Sequence, residues 1–193
     1  MNPDWINNSP DKILTRAGLW PFTAPVGSVL EVGCGISFRS RCIPSHIHVG
    51  LDAHWPYLQK VRDELPEAIL VNANAESLSW LFLNKSFSIV ALYDILEHLE
   101  KPAGQNLLAV AERLARQAVV VASPIGYVPQ NIDIWGMGGD RWQTHRSSWS
   151  QADLIASGYS TTTEKRIMSD AKRHTSIDVP RECTMVYGIK VMK

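Results

Sequence analysis

The 193-residue chain is poor in cysteine, carries no net charge and has no long apolar run, and each shortage closes off a class of protein. Its three cysteines, Cys34, Cys42 and Cys183, are odd in number and nowhere spaced as CxxC, so neither a disulfide framework nor a thiolate zinc or redox site is read from them. Buried thiols in a reducing cytoplasm are the expectation, and no metal-ligating set is read elsewhere. Nineteen basic residues balance nineteen acidic ones, which removes the broad electrostatic footprint that nucleic acid or an anionic membrane would require. Lys172-Arg173-His174 is the one basic cluster, and a solvated loop accounts for it. No run of eighteen apolar residues is present, and Met1-Asn2-Pro3-Asp4 has neither the basic start nor the apolar centre of a signal peptide, so a soluble, cytoplasmic protein is expected. Internal repeats and low-complexity tracts are also absent. At this length one domain, residues 1–193, can bury about 70% of the surface its unfolded chain exposes.

What is present is organised around Ser28-Val29-Leu30-Glu31-Val32-Gly33-Cys34-Gly35-Ile36-Ser37. A strand-forming apolar run ends in an acid and a Gly-x-Gly turn, the pattern of a buried parallel strand that delivers backbone to a ligand. Glycine there permits close approach, and free N–H groups at the start of a following helix, predicted over 36–42, can hold an anion. The same two glycines are also compatible with a tight turn and no ligand.

Before this strand, residues 1–27 hold four prolines and a short helical stretch over 9–17, and read as a lead-in packed on the domain edge, where Trp5, Trp20 and Phe22 serve packing. After it, Ile47-His48-Val49-Gly50-Leu51-Asp52 is a second strand ending in an acid, twenty-one positions beyond Glu31. An ionised carboxylate at that tip offers only acceptors and suits the two hydroxyls of a ribose, although a helix-capping aspartate is compatible with the same place. A helix over 56–64, a third strand over 68–72 and a helix over 77–83 follow. Asn74 then stands at another strand tip, where its amide either reads an adenine edge or closes an Asx turn.

Residues 87–94 form a fourth strand that gives way to Ile95-Leu96-Glu97-His98-Leu99, and the amphipathic run over 106–116, with Pro102 at a helix start, is a covering helix. Residues 118–124, wholly apolar at first, are a fifth and central strand. Five βα units in series predict an α/β fold, a doubly wound, mostly parallel sheet with its ligand cleft at the carboxyl ends of the strands. Residues 125–149 lack periodicity and read as a lid or substrate loop. A helix over 150–156 leads to a strand over 159–164. The connection over 169–181 reads as exposed and is too short for a helical crossover, so the last strand, over 182–192, is expected to be antiparallel.

Taken together the chain resembles the class I S-adenosylmethionine-dependent methyltransferases over nearly its whole length. Val29-Leu30-Glu31-Val32-Gly33-Cys34-Gly35 is similar to the family's first motif, Val49-Gly50-Leu51-Asp52 to its second, and Asn74-Ala75 stands where the family often has Asp-Ala. Asp94-Ile95-Leu96-Glu97-His98-Leu99-Glu100-Lys101-Pro102, after its strand, looks like the fourth motif. His145-Arg146-Ser147-Ser148-Trp149 with Asp153-Leu154 and Gly158-Tyr159 is similar to the late segment of small-molecule members. Two positions depart from the pattern: Ser37 replaces the third glycine, and Asn74 replaces an acid.

The resemblance implies a seven-stranded Rossmann-like sheet and S-adenosyl-L-methionine as cofactor. It implies the methionine carboxylate near Gly33, Cys34 and Gly35, its ammonium near Glu31, the ribose on Asp52 beside Ala53, and the adenine at Asn74 and Ala75. Tyr93 and Asp94 would line the donor pocket. Methyl transfer is an in-line displacement at a carbon already activated by a sulfonium, so alignment dominates and a base is needed chiefly for a hydroxyl acceptor. His98 and His145 are the candidate catalytic bases, a backbone-bonded or surface histidine being compatible with each. Tyr127, Gln130, Trp142 and Trp149 are candidates for the substrate cap, with lid packing open for both tryptophans. The expected acceptor is a small molecule bearing a hydroxyl. An RNA or protein methyltransferase and a donor-binding domain without turnover are the alternatives.

Overall fold

The structure is a computed structural model that describes residues 8–168 and 181–193; Trp5 and the Lys172-Arg173-His174 cluster lie outside the described residues. Seven strands form one sheet in the order β3-β2-β1-β4-β5-β7-β6. They are β1 (Val26–Val32), β2 (Ser45–Asp52), β3 (Ile69–Asn72), β4 (Phe87–Tyr93), β5 (Ala115–Pro124), β6 (Ser160–Met168) and β7 (Arg181–Val191). The first five run parallel. β7 enters antiparallel between β5 and β6, pairing Val120 with Ile189 and Thr162 with Tyr187.

Alternation along the strands divides the core. Leu30, Val32, Val90, Leu92, Val119 and Val121 point to one face, which α4 (Lys101–Leu114) covers with Leu107, Leu108, Ala111 and Leu114. Their neighbours Val29, Ile89, Ala91, Tyr93, Ala118 and Val120 point to the other, where α1 (Pro10–Arg16) inserts Ile13 and Leu14. Period-two geometry requires this split, because successive Cβ atoms of a strand alternate sides. Trp20 and Phe22 meet edge-to-face at 5.2 Å and pack on the second face, as the lead-in reading expects.

The remaining helices are α2 (Trp55–Glu64), α3 (Leu78–Leu81), α5 (Asp140–Gln143) and α6 (Gln151–Ala156). Two differ from the sequence expectation. No α-helix follows the glycine turn: the chain makes only a 3₁₀ turn, Arg39–Cys42, because Phe38 adopts a left-handed φ of 41° and Glu31 captures the backbone N–H of Ser40 at 2.6 Å. α3 is likewise a single turn behind the 3₁₀ turn Ala75–Ser77, with Phe82 already extended. By contrast α6 carries a full capping box, Ser150 with Asp153, and is set where that pairing dictates. None of the helices among the described residues is long and apolar enough to cross a membrane.

Candidate active site

The sheet order changes direction between β1 and β4, and at that switch point the carboxyl ends of the strands open into a cleft of about 850 Å³. This lies within the usual size of a cofactor or substrate site. Glu31, Gly33, Cys34, Gly35, Asp52, Ala53, Asn74, Ala75, Tyr93, Asp94, His98, Gln130, Trp142 and His145 all line it. Sequence positions scattered over more than a hundred residues thus meet because each lies at the carboxyl end of a parallel strand or in the segment after it.

Gly33 and Gly35 take φ values of 71° and 51°, left-handed conformations open to glycine at little cost. Ser37 does not, and the third left-handed position of the turn falls on Phe38 instead. The turn is pinned from below by Asp52. Its Oδ2 accepts the N–H of Gly35 at 2.9 Å and its Oδ1 the N–H of His54 at 2.8 Å, which binds the tips of β1 and β2 together. Burial raises the Asp52 carboxyl, while these two backbone donors hold it down.

Strand parity places Glu31 on the Val29 and Tyr93 face. There it is only 1% exposed, it accepts the Ser40 N–H, and burial pushes its pKa up to about 7 against the opposing pull of Ser40 and Arg39. Its carboxylate therefore holds the turn that follows β1. The Arg39 guanidinium instead pairs with Asp94 Oδ2; burial opposes its charge, but Asp94 and Glu31 keep it protonated. Asp94, at φ 49°, ends β4, and its Oδ1 is buried without a hydrogen-bond partner. Arg39 was not among the residues singled out from sequence; a basic residue six places after the first glycine was the only signal.

Asn74 uses its Oδ1 to accept the Glu76 N–H at 3.1 Å, the Asx-turn reading, and still lines the cleft. Cys34 Sγ lies under Gly50, about 3.0 Å from where a Cβ there would sit, and the thiol is buried with Phe38, Leu58 and Val61. Burial, and then the charges of Glu31 and Asp52, raise it well above its ordinary value, so it is an inert core thiol. All three cysteines are free.

The loop over 125–149 contributes residues that line one side of the cleft. Asp133 organises it: one carboxylate accepts the N–H groups of Trp135, Met137 and Gly139 at 2.9, 2.7 and 3.0 Å. Trp135 is thereby laid edge-on to Tyr57, ring centroids 4.7 Å apart, directly over Gly35. The far end of the loop is stitched to the turn after β4. Arg146 and Ser147 donate their backbone N–H groups to the Glu97 carbonyl at 2.7 and 3.2 Å, and the Arg146 guanidinium bonds the carbonyls of His98 and Thr144. This brings the imidazoles of His98 and His145 to 4.7 Å between centroids, although 47 positions separate them in sequence. Burial, together with the neighbouring His145, pushes His98 down to about 4, and burial lowers His145. Both rings are therefore neutral at ordinary pH. Glu97, 2% exposed and bonded by the Ser123 hydroxyl at 3.1 Å, is raised by burial and by the charge of Asp94.

Two expected substrate residues lie elsewhere. Tyr127 is 59% exposed and does not line the cleft; its hydroxyl contacts the His145 carbonyl at 3.4 Å. Trp149, 1% exposed, packs on Gly104 of α4, and its indole N–H donates to Ser147 Oγ at 3.1 Å. A loop tryptophan and a core tryptophan look alike in sequence; here the strand-like bridges of Trp149 to residues 125 and 126 join the Gly104 and Ser147 contacts in holding it inward.

A seven-stranded sheet of this order with a glycine turn, an acid on β2 and a cleft at the switch point has the Rossmann-like methyltransferase architecture. Residues 30–122 match the family model described as a methyltransferase domain. No curated protein matches it. Among solved structures its fold is similar to the YcgJ protein from Bacillus subtilis, at 15% identity over 97% of this chain and 98% of that one, with a TM-score of 0.63. It is similar also to an S-adenosylmethionine-dependent methyltransferase from Mesorhizobium loti, at 16% identity over 95% and 99%, TM-score 0.56. A third is magnesium protoporphyrin IX methyltransferase from Synechocystis with bound S-adenosylmethionine, at 13% identity over 98% of this chain and 79% of that one, TM-score 0.58.

Proposed function

We propose that this enzyme transfers the methyl group of S-adenosylmethionine to a hydroxyl of a small-molecule acceptor. The observation that carries the reading is the pairing of two neutral imidazoles, His98 and His145, inside the cleft that Asp52 and the glycine turn also line. The sheet order supports one orientation of the donor's two ends. Adenosine falls on the β2 and β3 side, with Asp52 for the ribose and Asn74 and Ala75 for the adenine. On this reading the amino-acid tail lies at Gly33 and Gly35, and the buried Oδ1 of Asp94, which has no hydrogen-bond partner, joins Glu31 as a candidate for its ammonium. With no α-helix directly after the turn, the Arg39 guanidinium that lines the cleft beside Asp94 offers a positive charge to the tail carboxylate. Each of these groups fits the donor: acceptor-only oxygen for hydroxyls, carboxylate for ammonium, glycine backbone where a Cβ would intrude.

In the reaction the S–CH₃ bond breaks as an O–CH₃ bond forms, and the sulfonium leaves as a neutral thioether. The acceptor's proton passes to an imidazole nitrogen. His145 Nδ1 lies 2.6 Å from the Val128 carbonyl and donates to it, which leaves Nε2 with the lone pair a base requires. Gln130 and Trp142 line the same cleft from the lid and stand beside the acceptor's place.

The test is a methyl-transfer screen with labelled donor against small hydroxyl, amine and thiol acceptors and against total RNA and protein, with calorimetric donor titrations alongside. Methylation of a small alcohol or phenol, lost in His145→Ala with donor affinity kept, supports the reading. Label appearing in RNA or protein alone, or donor bound with no acceptor turned over, removes it. Asp52→Ala should weaken donor binding by about 1–3 kcal/mol, the cost of leaving ribose hydroxyls unpaired.

A further inference from the structure

Glu97, His98 and His145 each present one ligand atom to a common point, the three atoms lying within 4.8 Å of one another. Two imidazole nitrogens and one carboxylate oxygen are a complete protein donor set for a first-row divalent cation with open positions. The surroundings have the form such a set requires. His145 Nδ1 is engaged by the Val128 carbonyl at 2.6 Å and His98 Nδ1 faces the Thr144 carbonyl at 3.4 Å, so both rings turn Nε2 away from the backbone. One Glu97 oxygen takes the Ser123 hydroxyl, leaving the other. Orientation of ligating histidines by carbonyls, and of a ligating carboxylate by a hydroxyl, is how proteins hold a metal's ligands in place. The frame is rigid too, since the Arg146 guanidinium spends its donors on the carbonyls of Arg141, His98 and Thr144.

We propose that Glu97, His98 and His145 bind one divalent transition cation, of the zinc, cobalt or manganese kind, whose remaining coordination positions open into the donor cleft. Ligands about 2.1 Å from one ion in tetrahedral or octahedral arrangement sit about 3–3.5 Å apart, so at most a side-chain rotation closes the set. Asp94 and Arg39 border the cluster as an ion pair and leave its charge nearly balanced, so the cation's own charge is offset chiefly by Glu97. On the hydroxyl reading of the reaction, which this part of the inference rests on, an acceptor oxygen completes the coordination sphere. The cation would then make the bound hydroxyl more acidic, so that its proton passes to water in the cleft, and would stabilise the resulting alkoxide without either ligated imidazole acting as base.

The experiment is titration of the full-length, metal-stripped protein with Co(II), followed by its visible ligand-field bands, and with Zn(II) by calorimetry. The same titrations are run on His98→Ala, His145→Ala and Ser123→Ala, with circular dichroism and donor affinity as controls for folding. One equivalent per chain is expected, with affinity falling at least a hundredfold in either histidine variant and about tenfold in Ser123→Ala. No stoichiometric binding by the wild type, or binding untouched by both histidine substitutions, overturns the site. Methylation that survives chelation in a protein that binds no metal leaves the imidazole-base reading standing alone. A stoichiometric cation lost in the histidine variants, in a protein that methylates no hydroxyl, leaves the metal site standing and removes the acceptor.

Discussion

The ring of Trp135 occupies the space that a side chain at Gly35 would need: a Cβ built on Gly35 falls 2.4 Å from Trp135 Cη2. Lid and glycine turn, a hundred positions apart in sequence, are therefore fitted to each other. Gly35→Ala should weaken donor binding at least tenfold, because the left-handed φ of 51° costs an alanine about 1–2 kcal/mol and the methyl group also displaces the lid. Adding Trp135→Ala to that variant should restore part of the loss. Calorimetry on both single variants and the double variant measures the coupling, and strictly additive losses would show that the two residues do not meet.

Trp135→Ala alone should speed donor release. The lid loop keeps its Asp133 scaffold, so the melting temperature should move little, while the cover over the glycine turn is removed. Stopped-flow displacement of bound S-adenosylhomocysteine reads the rate directly. An unchanged off-rate would mean that the tryptophan only packs on Tyr57.

Trp149→Ala is expected to cost about 3–5 kcal/mol of stability, the usual price of emptying a buried aromatic site, with donor affinity unchanged in the folded protein. Urea denaturation and donor titration separate the two effects. A variant that folds normally but loses acceptor turnover would return Trp149 to the substrate site.

Glu31 makes stability depend on pH with a definite sign. Its ordinary value is 4.5 and burial raises it to about 7 in the fold, so between these values the native chain holds a proton that the unfolded chain has released. Its contribution is complete below about 4.5 and is lost as pH rises toward 7, at about 1.4 kcal/mol per pH unit. Glu31→Gln should lose this slope. Unfolding free energies of both proteins at pH 5, 6, 7 and 8 check it, and the comparison cancels the opposing contribution of His98, whose lowered value adds stability as pH rises from about 4 to 6.5. Parallel curves for the two proteins would count against a protonated, buried Glu31.

On the proposed hydroxyl reaction, the histidine pair should set the acid limb of activity. Both rings resist protonation, so kcat/KM should hold its plateau down to pH values below the ordinary histidine range near 6.5 and fall only beneath it. A pH–rate profile with its acid midpoint at or above 6.5 would show that neither ring is the base in this environment.

The amino-acid sequence alone determined the sheet and which residues line the cleft at the ends of β1, β2 and β4, because both rest on local chemistry. Apolar strand runs announce a parallel sheet, and glycines and acids at strand tips must converge wherever parallel strands end together. Asp52, Gly35, Asn74 and Asp94 were legible for that reason. Only the tertiary structure decided what touches them. Arg39 reaches Asp94 because Phe38 turns left-handed, Trp135 covers Gly35 because one aspartate folds the lid, and His145 meets His98 because Arg146 ties two distant segments through backbone carbonyls. None of these contacts has a period or a fixed spacing; each is a long-range closure whose partner the chain meets only once the sheet is formed.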